Sequence, residues 1–482
     1  MQKNSRWIIF FLVAVAQFMV ILDVSITNVA LPTIKQALHF STNNLQWVIT
    51  AYALTFGGFL LLGGRAADLF GRKRILLIGM SSFTLFSFLI GISNSAVVLI
   101  ILRALQGIAA ALMSPAALSI VLTTFKEGEE RNKALGYWTT VATGGSAVGL
   151  LLGGALTQFF GWRWNFFINV PIGIFVSIAI ARIIPSLSEK QNTHRDLDLP
   201  GAALLTGGLI LFVFSISQAP VWGWLSTITI GLFAVVIILI TAFIINELLS
   251  KHPIIPLTIF KIRNVTGANL MLAPIVAGMY GMFFLTSLYI QTVLHYSPVL
   301  TGLSFLPFPI ILGITSTRIA HFVTKYGYRR FLIAGPLLIA IGVAWLSRLP
   351  VNGNYFINIL PTILLMPVGI GMTFLPIIVA ATAGVPANRS GLASGLINTS
   401  QQMGGAIGLT VLSSVAASVT LATAYTGQTQ ALVNGYDRAF LVGVILILLA
   451  AVLGVIIISQ KRPPSNQRES AGSLESENVV LQ

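Results

Sequence analysis

The sequence predicts an all-α integral membrane protein: two related six-helix bundles with two further helices between them, fourteen spans in all. Three observations predict this. Hydrophobic residues make up 56% of the 482 and charged residues only 9%, against roughly 25% charged in a soluble domain. Apolar runs of about 20 residues, the length that crosses a bilayer as a helix, recur from end to end; a membrane β-barrel would show alternating segments of about ten. Two landmarks also repeat at nearly one offset. Gly71 with Lys73-Arg74, in "RAADLFGRKRILLIG", matches Gly327 with Arg329-Arg330, in "HFVTKYGYRRFLIAG", at 256 residues. Gly145-x-x-x-Gly149 matches Gly404-x-x-x-Gly408 at 259. Two homologous halves around a central site, related by a pseudo-two-fold axis normal to the membrane, are a transporter architecture.

The first span, 8–30, follows the basic lead of "MQKNSRWIIFFLVAVAQF". No small-residue cleavage site interrupts it, so it is read as a retained span. It carries Asp23, the one acid placed clearly within a span, with Glu247 and Asp437 at span ends. Desolvation favours the neutral form of a lone carboxylate, which suits a proton carrier; when ionised, such a group attracts a cation. A structural role, Asp23 hydrogen-bonded to Asn28 or Ser25, stands beside this reading, although ionisable groups at such depth are functional by default. Span two, 44–64, leads into "GRAADLFGRKR". Its glycines permit a tight turn, and Asp68 suits an arginine or a helix N-terminus. Gly64, Asp68, Gly71, Arg72 and Lys73 are read as a gate latch whose contacts differ between states, or as a basic loop that only orients the chain.

Spans three and four are 75–93 and 97–123. The fourth carries Arg103, Gln106 and Gly107. An intramembrane arginine is costly unless paired or watered, so Arg103 either pairs with Asp23 or snorkels to the interface. Span five, 136–159, holds Gly145, Gly149, Gly153 and Gly154, small residues that let helices approach, as plain packing or as part of a gate. No strand precedes them, which rules out a phosphate loop. Span six, 165–184, completes a first bundle over 1–186. The pair 200–218 and 226–246 lies within 187–266. The second bundle, 267–460, holds spans 267–291, 299–318, 331–347, 355–382, 392–422 and 438–459, with no acid clearly inside them. Its polar candidates are Tyr280, Tyr289, Gln291, Asn398, Gln401 and Gln402; Asn398, Gln401 and Gln402 share one helix face and serve substrate or bind helices together. Met279, Phe283 and Phe284 offer an adaptable apolar wall. The polar tail, 461–482, is expected to be disordered.

The net charge of +15 does not point to nucleic acid, because the basic residues sit in short loops. With the N-terminus in the cytoplasm, 23 of the 28 lysines and arginines fall inside; Lys35, Arg163, Arg348 and Arg438 fall outside, and Arg103 is within a span. That bias sets orientation and places both termini in the cytoplasm. The chain has no cysteine, hence no disulfide or thiolate metal site. Its five histidines lie near loops without metal spacing. No nucleophile–base pair and no nucleotide loop appear, so neither an enzyme nor an ATPase is expected.

The loop Gly64-Asp68-Gly71-Arg72-Lys73 resembles the cytoplasmic loop signature of the major facilitator superfamily. "LIILRALQGIAAA", from Leu99, is similar to the fourth-span signature of that superfamily's proton antiporters. "GGSAVGLLLGG" sits where the efflux branch carries its fifth-span signature, with Leu150 in place of a proline and its kink. "ILDVSITNVALP", with Asp23, Asn28 and Pro32, resembles the first-span signature of the fourteen-span drug:proton antiporter branch, as do "WRWNFFINVPIG" and "HPIIPLTIFKIRNVTGAN". The resemblance covers essentially the whole chain. It implies the major facilitator fold in a cell membrane and proton-driven efflux of small lipophilic, often cationic, drugs or toxic compounds by alternating access. Its partners would be protons, a small molecule and the bilayer, with the proton gradient in place of any cofactor or ATP, in a monomer. Asp23 and Arg103 would carry the coupling, and Asn28, Tyr280, Asn398, Gln401 and Gln402 would line the cavity. Export of a specific endogenous metabolite or antibiotic remains open, as does gradient-driven nutrient uptake. The repeat and the loop signature argue against a channel or receptor.

Overall fold

Hydrocarbon offers no partner to a backbone N–H or C=O, so apolar runs of this length satisfy themselves as helices. The computed structural model describes residues 3–125, 129–184, 198–250, 253–382, 385 and 390–458, and no strand occurs among them. The expected disordered tail and several loop cations, among them Lys126, Arg195 and Arg389, lie outside the described residues. The first half comprises α1 (Lys3–Ala37), α2 (Trp47–Phe70), α3 (Arg72–Ile92), α4 (Ala96–Thr124), α5 (Glu129–Phe159) and α6 (Asn169–Ile183). Two further helices follow, α7 (Leu199–Trp222) and α8 (Thr227–Leu249). The second half comprises α9 (Arg263–Thr292), α10 (Pro307–Tyr326, preceded by the short helix Pro298–Phe305), α11 (Arg329–Trp345), α12 (Leu360–Thr382), α13 (Ser390–Ala422) and α14 (Gln428–Ile457).

Among the described residues, thirteen helices are long and apolar enough to cross a membrane, against fourteen expected. The remaining expected span is α5, whose 31 residues have the length to cross but include side chains outside the described residues. Of the two acids expected at span ends, Glu247 falls in the last turn of α8, whereas Asp437 lies within α14, which starts ten residues before the expected span.

The repeated landmarks have a conformational cause. Gly71 and Gly327 both adopt positive φ, 93° and 77°, where a side chain would clash. Each turns the chain between two helices at the same point of its half. The glycine repeats likewise bring helices together in both halves. A methyl at Gly149 would lie 2.6 Å from Ser25 Cβ, and one at Gly153 2.9 Å from Ile26 Cα, so α5 runs directly along α1. Gly404 and Gly408 bring α13 onto Ala273 and Ala277 of α9 in the same way.

The halves touch along α2 and α13, where a methyl at Gly57 would lie 2.8 Å from Gln402 Cβ and one at Gly395 2.4 Å from Leu61 Cδ2, and again at one end. Gly154 of α5 packs on the backbone of Pro298 and Val299, and the Leu150 carbonyl faces Gly302. Gln291 Nε2 donates to Val29 O at 3.0 Å and Ser287 Oγ to Asn28 O at 3.3 Å. A hydrophobic cluster joins Val29, Leu31 and Ile34 to Met282, Leu285 and Leu288 there. On one flank α7 lies against both halves, α2 and α13. Gln46 Nε2 donates to Ser217 Oγ at 3.1 Å, and Ser414 Oγ to Ile216 O at 3.1 Å.

Candidate functional site

Asp23 and Arg103 are each 1% exposed and form an ion pair inside the first half, Arg103 Nη1 donating to Asp23 Oδ2. Asp23 Oδ1 accepts from Gln106 Nε2 at 3.0 Å and from Asn169 Nδ2 at 3.1 Å. Arg103 also donates through Nη1 to Gln106 Oε1 at 2.7 Å and through Nε to Val48 O at 2.9 Å. Its guanidinium lies over the Tyr52 ring, 4.4 Å from the centroid. Ser87 Oγ receives Asn169 Nδ2 at 3.1 Å and donates to Phe166 O at 2.9 Å. The cluster therefore draws on α1, α2, α3, α4 and α6. Gln106 sits one turn after Arg103, so one face of α4 presents both to α1. Gly107 lets α4 close on α2: a methyl there would lie 2.4 Å from Tyr52 O.

The expectation of a lone, desolvated carboxylate is thus corrected. Asp23 has a cation and two amide donors, because five helices converge on it. The structural alternative also fails: Asn28 Nδ2 donates to Val24 O at 2.9 Å and Ser25 Oγ to Ile21 O at 3.0 Å, neither to Asp23. Among the described residues, neither of the two cavities between the halves has Asp23 in its lining. Arg103 does not snorkel; the paired carboxylate holds it inside. Tyr52 Oη and Asn169 Oδ1 are buried beside the pair without a hydrogen-bond partner.

Between the halves lies an inner cavity of about 310 Å³. Gln17, Ser25 and Asn28 of α1 line it, opposite Met279, Tyr280 and Phe283 of α9 and Gln401 and Gln402 of α13. Tyr280 Oη donates to Gln402 Oε1 at 2.9 Å. A larger outer cavity of about 830 Å³ shares Gln17, Phe56, Gln401 and Gln402 with it and runs past Asn398 to Gly64, Arg65 and Asp68. The path is open on the face of the Gly71 loop and closed at the other end by the contacts between the halves. All five expected cavity residues line one of the two cavities, Asn398 only the outer one.

Within the loop motif Arg72 Nη2 stands 3.5 Å from Asp68 Oδ1 across the Gly71 turn, and Lys73 Nζ donates to Ala181 O at 2.8 Å. Of the span-five glycines, Gly145, Gly149 and Gly153 serve α1, while Gly154 serves the contact between halves. Leu150 lines the inner cavity, and the helix runs unbroken past it. Sequence reasoning missed Asn169, Tyr52, Ser87 and Gln17. Asn169 and Gln17 are signalled only as isolated amides in apolar runs, and the other two carry no signal of their own.

Residues 13–409 match the sequence profile of the Major Facilitator Superfamily. The chain is 37% identical to the puromycin resistance protein of Streptomyces alboniger, over 97% of this chain and 94% of that one. It is 36% identical to the cephamycin export protein of Amycolatopsis lactamdurans, over 94% and 93%. With the multidrug resistance protein Stp of Mycobacterium tuberculosis the identity is 34%, over 84% and 75%. Among solved structures, a bacterial homologue of the human lysosomal transporter Spinster superposes with a TM-score of 0.70 over 95% of this chain and 98% of that one, at 16% identity. A peptide transporter superposes with a TM-score of 0.66 over 94% and 96%, at 17% identity. With two repeated halves, a cavity between them and this match over most of its length, the chain belongs to the Major Facilitator Superfamily.

Proposed function

We propose that this protein exports small lipophilic compounds, cationic ones among them, from the cytoplasm across the cell membrane in exchange for protons. It works as a monomer, with both termini cytoplasmic and the proton gradient as its energy source in place of a cofactor. The resistance and export proteins among its relatives support the direction of transport. One observation carries the coupling: α1 bears Asp23 on the face turned into the first half and Gln17, Ser25 and Asn28 on the face turned into the cavity. A proton arriving on Asp23 removes the negative charge that holds Arg103. The pair then loosens, and α1 transmits the change to the cavity wall and to its glycine-lined contact with α5. Alternation between the two protonation states thus accompanies alternation of access. The Asp68–Arg72 turn and the Lys73–Ala181 contact belong to the face that must close when the other opens.

A second reading, export of one particular antibiotic or metabolite, is favoured by the lining of the inner cavity. Among the described residues that lining offers amides, hydroxyls and aromatic rings but no carboxylate, so it selects by hydrogen bonding rather than by charge.

The test uses inverted membrane vesicles with an imposed proton gradient and a pH-sensitive dye. Substrate-dependent proton release by the wild type that is lost in Asp23→Asn supports antiport through this pair. Release that survives in Asp23→Asn removes Asp23 from the coupling. No release with a panel of lipophilic cations, but release with neutral hydrogen-bonding antibiotics, selects the second reading.

A further inference from the structure

The added helix pair carries two buried acids that the transport cycle above does not use. Asp198, at the start of α7, caps that helix: its Oδ1 accepts from Gly201 N at 2.9 Å. Asn246 Nδ2 of α8 reaches its two oxygens at 2.9 and 3.0 Å. Glu247, in the last turn of α8, accepts from Ile255 N through Oε2 at 2.9 Å. Its other oxygen, Oε1, is buried without a hydrogen-bond partner. The residues are 7% and 4% exposed. Asp198 Oδ2 and Glu247 Oε1 converge on one point, since a methyl at Gly201 would lie 2.7 Å from the first and 2.9 Å from the second. The glycine is what lets the two carboxyl groups close on each other.

Two carboxylates buried side by side do not both ionise. The surroundings assign the charge. Asp198 stands at a helix N-terminus with backbone and amide donors around it, where negative charge is favoured; Glu247 stands at a helix C-terminus, where it is disfavoured. We propose that Asp198 and Glu247 share one proton, carried on Glu247 Oε1 and donated to Asp198 Oδ2, as a proton-binding site separate from Asp23. The orphaned oxygen then has its partner.

Among the described residues, the charged groups on the elements around the pair are Arg65 and Asp68 of α2, Lys261 on the turn Leu257–Lys261, and Arg263 of α9. Arg263 Nη2 is engaged by Ile456 O at 2.6 Å. Only Asp198 bears electrostatically on Glu247. No third acid or histidine joins them among the described residues, so the pair offers a divalent cation too few ligands.

The shared proton has a mechanical consequence. Glu247 tethers the backbone at Ile255, and the neighbouring Ile254 lines the outer cavity. Ile254, Ile255 and Ile259 pack with Phe243 of α8, Leu62 of α2 and Leu396 of α13. Loss of the proton leaves two like charges inside this apolar cluster and frees the segment at the cavity mouth. The added helices therefore make the mouth responsive to pH on its own face.

Infrared difference spectroscopy of the full-length protein in lipid nanodiscs tests this, at neutral pH in water and in deuterium oxide. The wild type should show a protonated-carboxyl stretch that is lost in Glu247→Gln, a variant that keeps an N–H where the O–H stood. In Asp198→Asn the band should remain but move, because its acceptor becomes an amide. A band unchanged in both variants, or one lost in Asp23→Asn alone, overturns the proposal. If Glu247→Gln fails to fold, an unmoved band in Asp198→Asn overturns it by itself.

Discussion

The two halves share a backbone plan but not a polarity. In the first, Asp23, Arg103, Gln106 and Asn169 form a buried charged network. The repeat offsets of 256 and 259 carry Asp23 to Met279 or Met282, and Arg103 to Ile359 or Thr362. Ile359 and Met282 are fully buried, and Thr362 Oγ1 turns to Gly342 O at 2.7 Å. Where the first half holds charge, the second holds aromatic packing: Phe283 lies 5.4 Å from Phe305 and 4.7 Å from Phe308 between ring centroids. The glycine contacts, by contrast, occur in both halves. Close helix approach is what holds such a bundle together in lipid, and both copies keep it. A buried ion pair is a poor source of net stability, and one copy does without it. The comparison separates a scaffold of glycine contacts that both halves keep from a charged network that one half alone carries.

The largest break in this comparison comes from Arg103→Ala. It strands Asp23 without its cation, which costs about 3–5 kcal/mol, and transport is lost. The counterpart Thr362→Val removes one hydrogen bond and costs about 1 kcal/mol. Thermal unfolding in detergent, read alongside vesicle transport, compares them; equal costs would mean that the asymmetry has no energetic content.

Next come the shared contacts. Gly149→Ala places a methyl 2.6 Å from Ser25 Cβ, and Gly408→Ala places one 2.0 Å from Ala277 Cβ. Each overpacks a helix contact and should lower stability by about 1–3 kcal/mol, in both halves alike. A cost confined to one half would show that only one bundle depends on its glycine row.

Smaller effects sharpen the picture. Tyr280→Phe removes the hydrogen bond to Gln402 at the cavity wall, about 0.5–1.5 kcal/mol. It should shift the substrate concentration for half-maximal transport by no more than about tenfold, leaving the maximal rate and the proton coupling intact. Arg72→Ala opens an exposed pair and should change stability by less than about 0.5 kcal/mol. A fall in transport rate without a fall in melting temperature would separate its gating role from its structural one.

Much of this architecture is legible in the sequence because lipid imposes it. Apolar length marks the helices, and the repeat shows in glycines that the backbone requires, Gly71 and Gly327 at their turns and Gly149 and Gly408 at their contacts. The partnership of Asp23 and Arg103 is legible too, since neither charge is tolerable alone. Which way Asp23 points is not. Successive residues of α1 stand about 100° apart around the helix, and only packing decides that Asp23 turns into its own half while Ser25 and Asn28 turn to the cavity. Asn169, Ser87 and Tyr52 reach the pair from α6, α3 and α2, an arrangement that no local pattern records.

The position of α7 bears on how lipophilic molecules reach the transporter. A compound dissolved in the leaflet approaches sideways, along the seams where the halves meet. On the flank where α7 covers both α2 and α13, it encounters a continuous helical wall tied down through Ser217 and Ile216. The added pair thus makes the molecule one-sided toward its solvent: that seam is withdrawn from the lipid, while the opposite seam, between α5 and the short helix before α10, is closed by glycine packing.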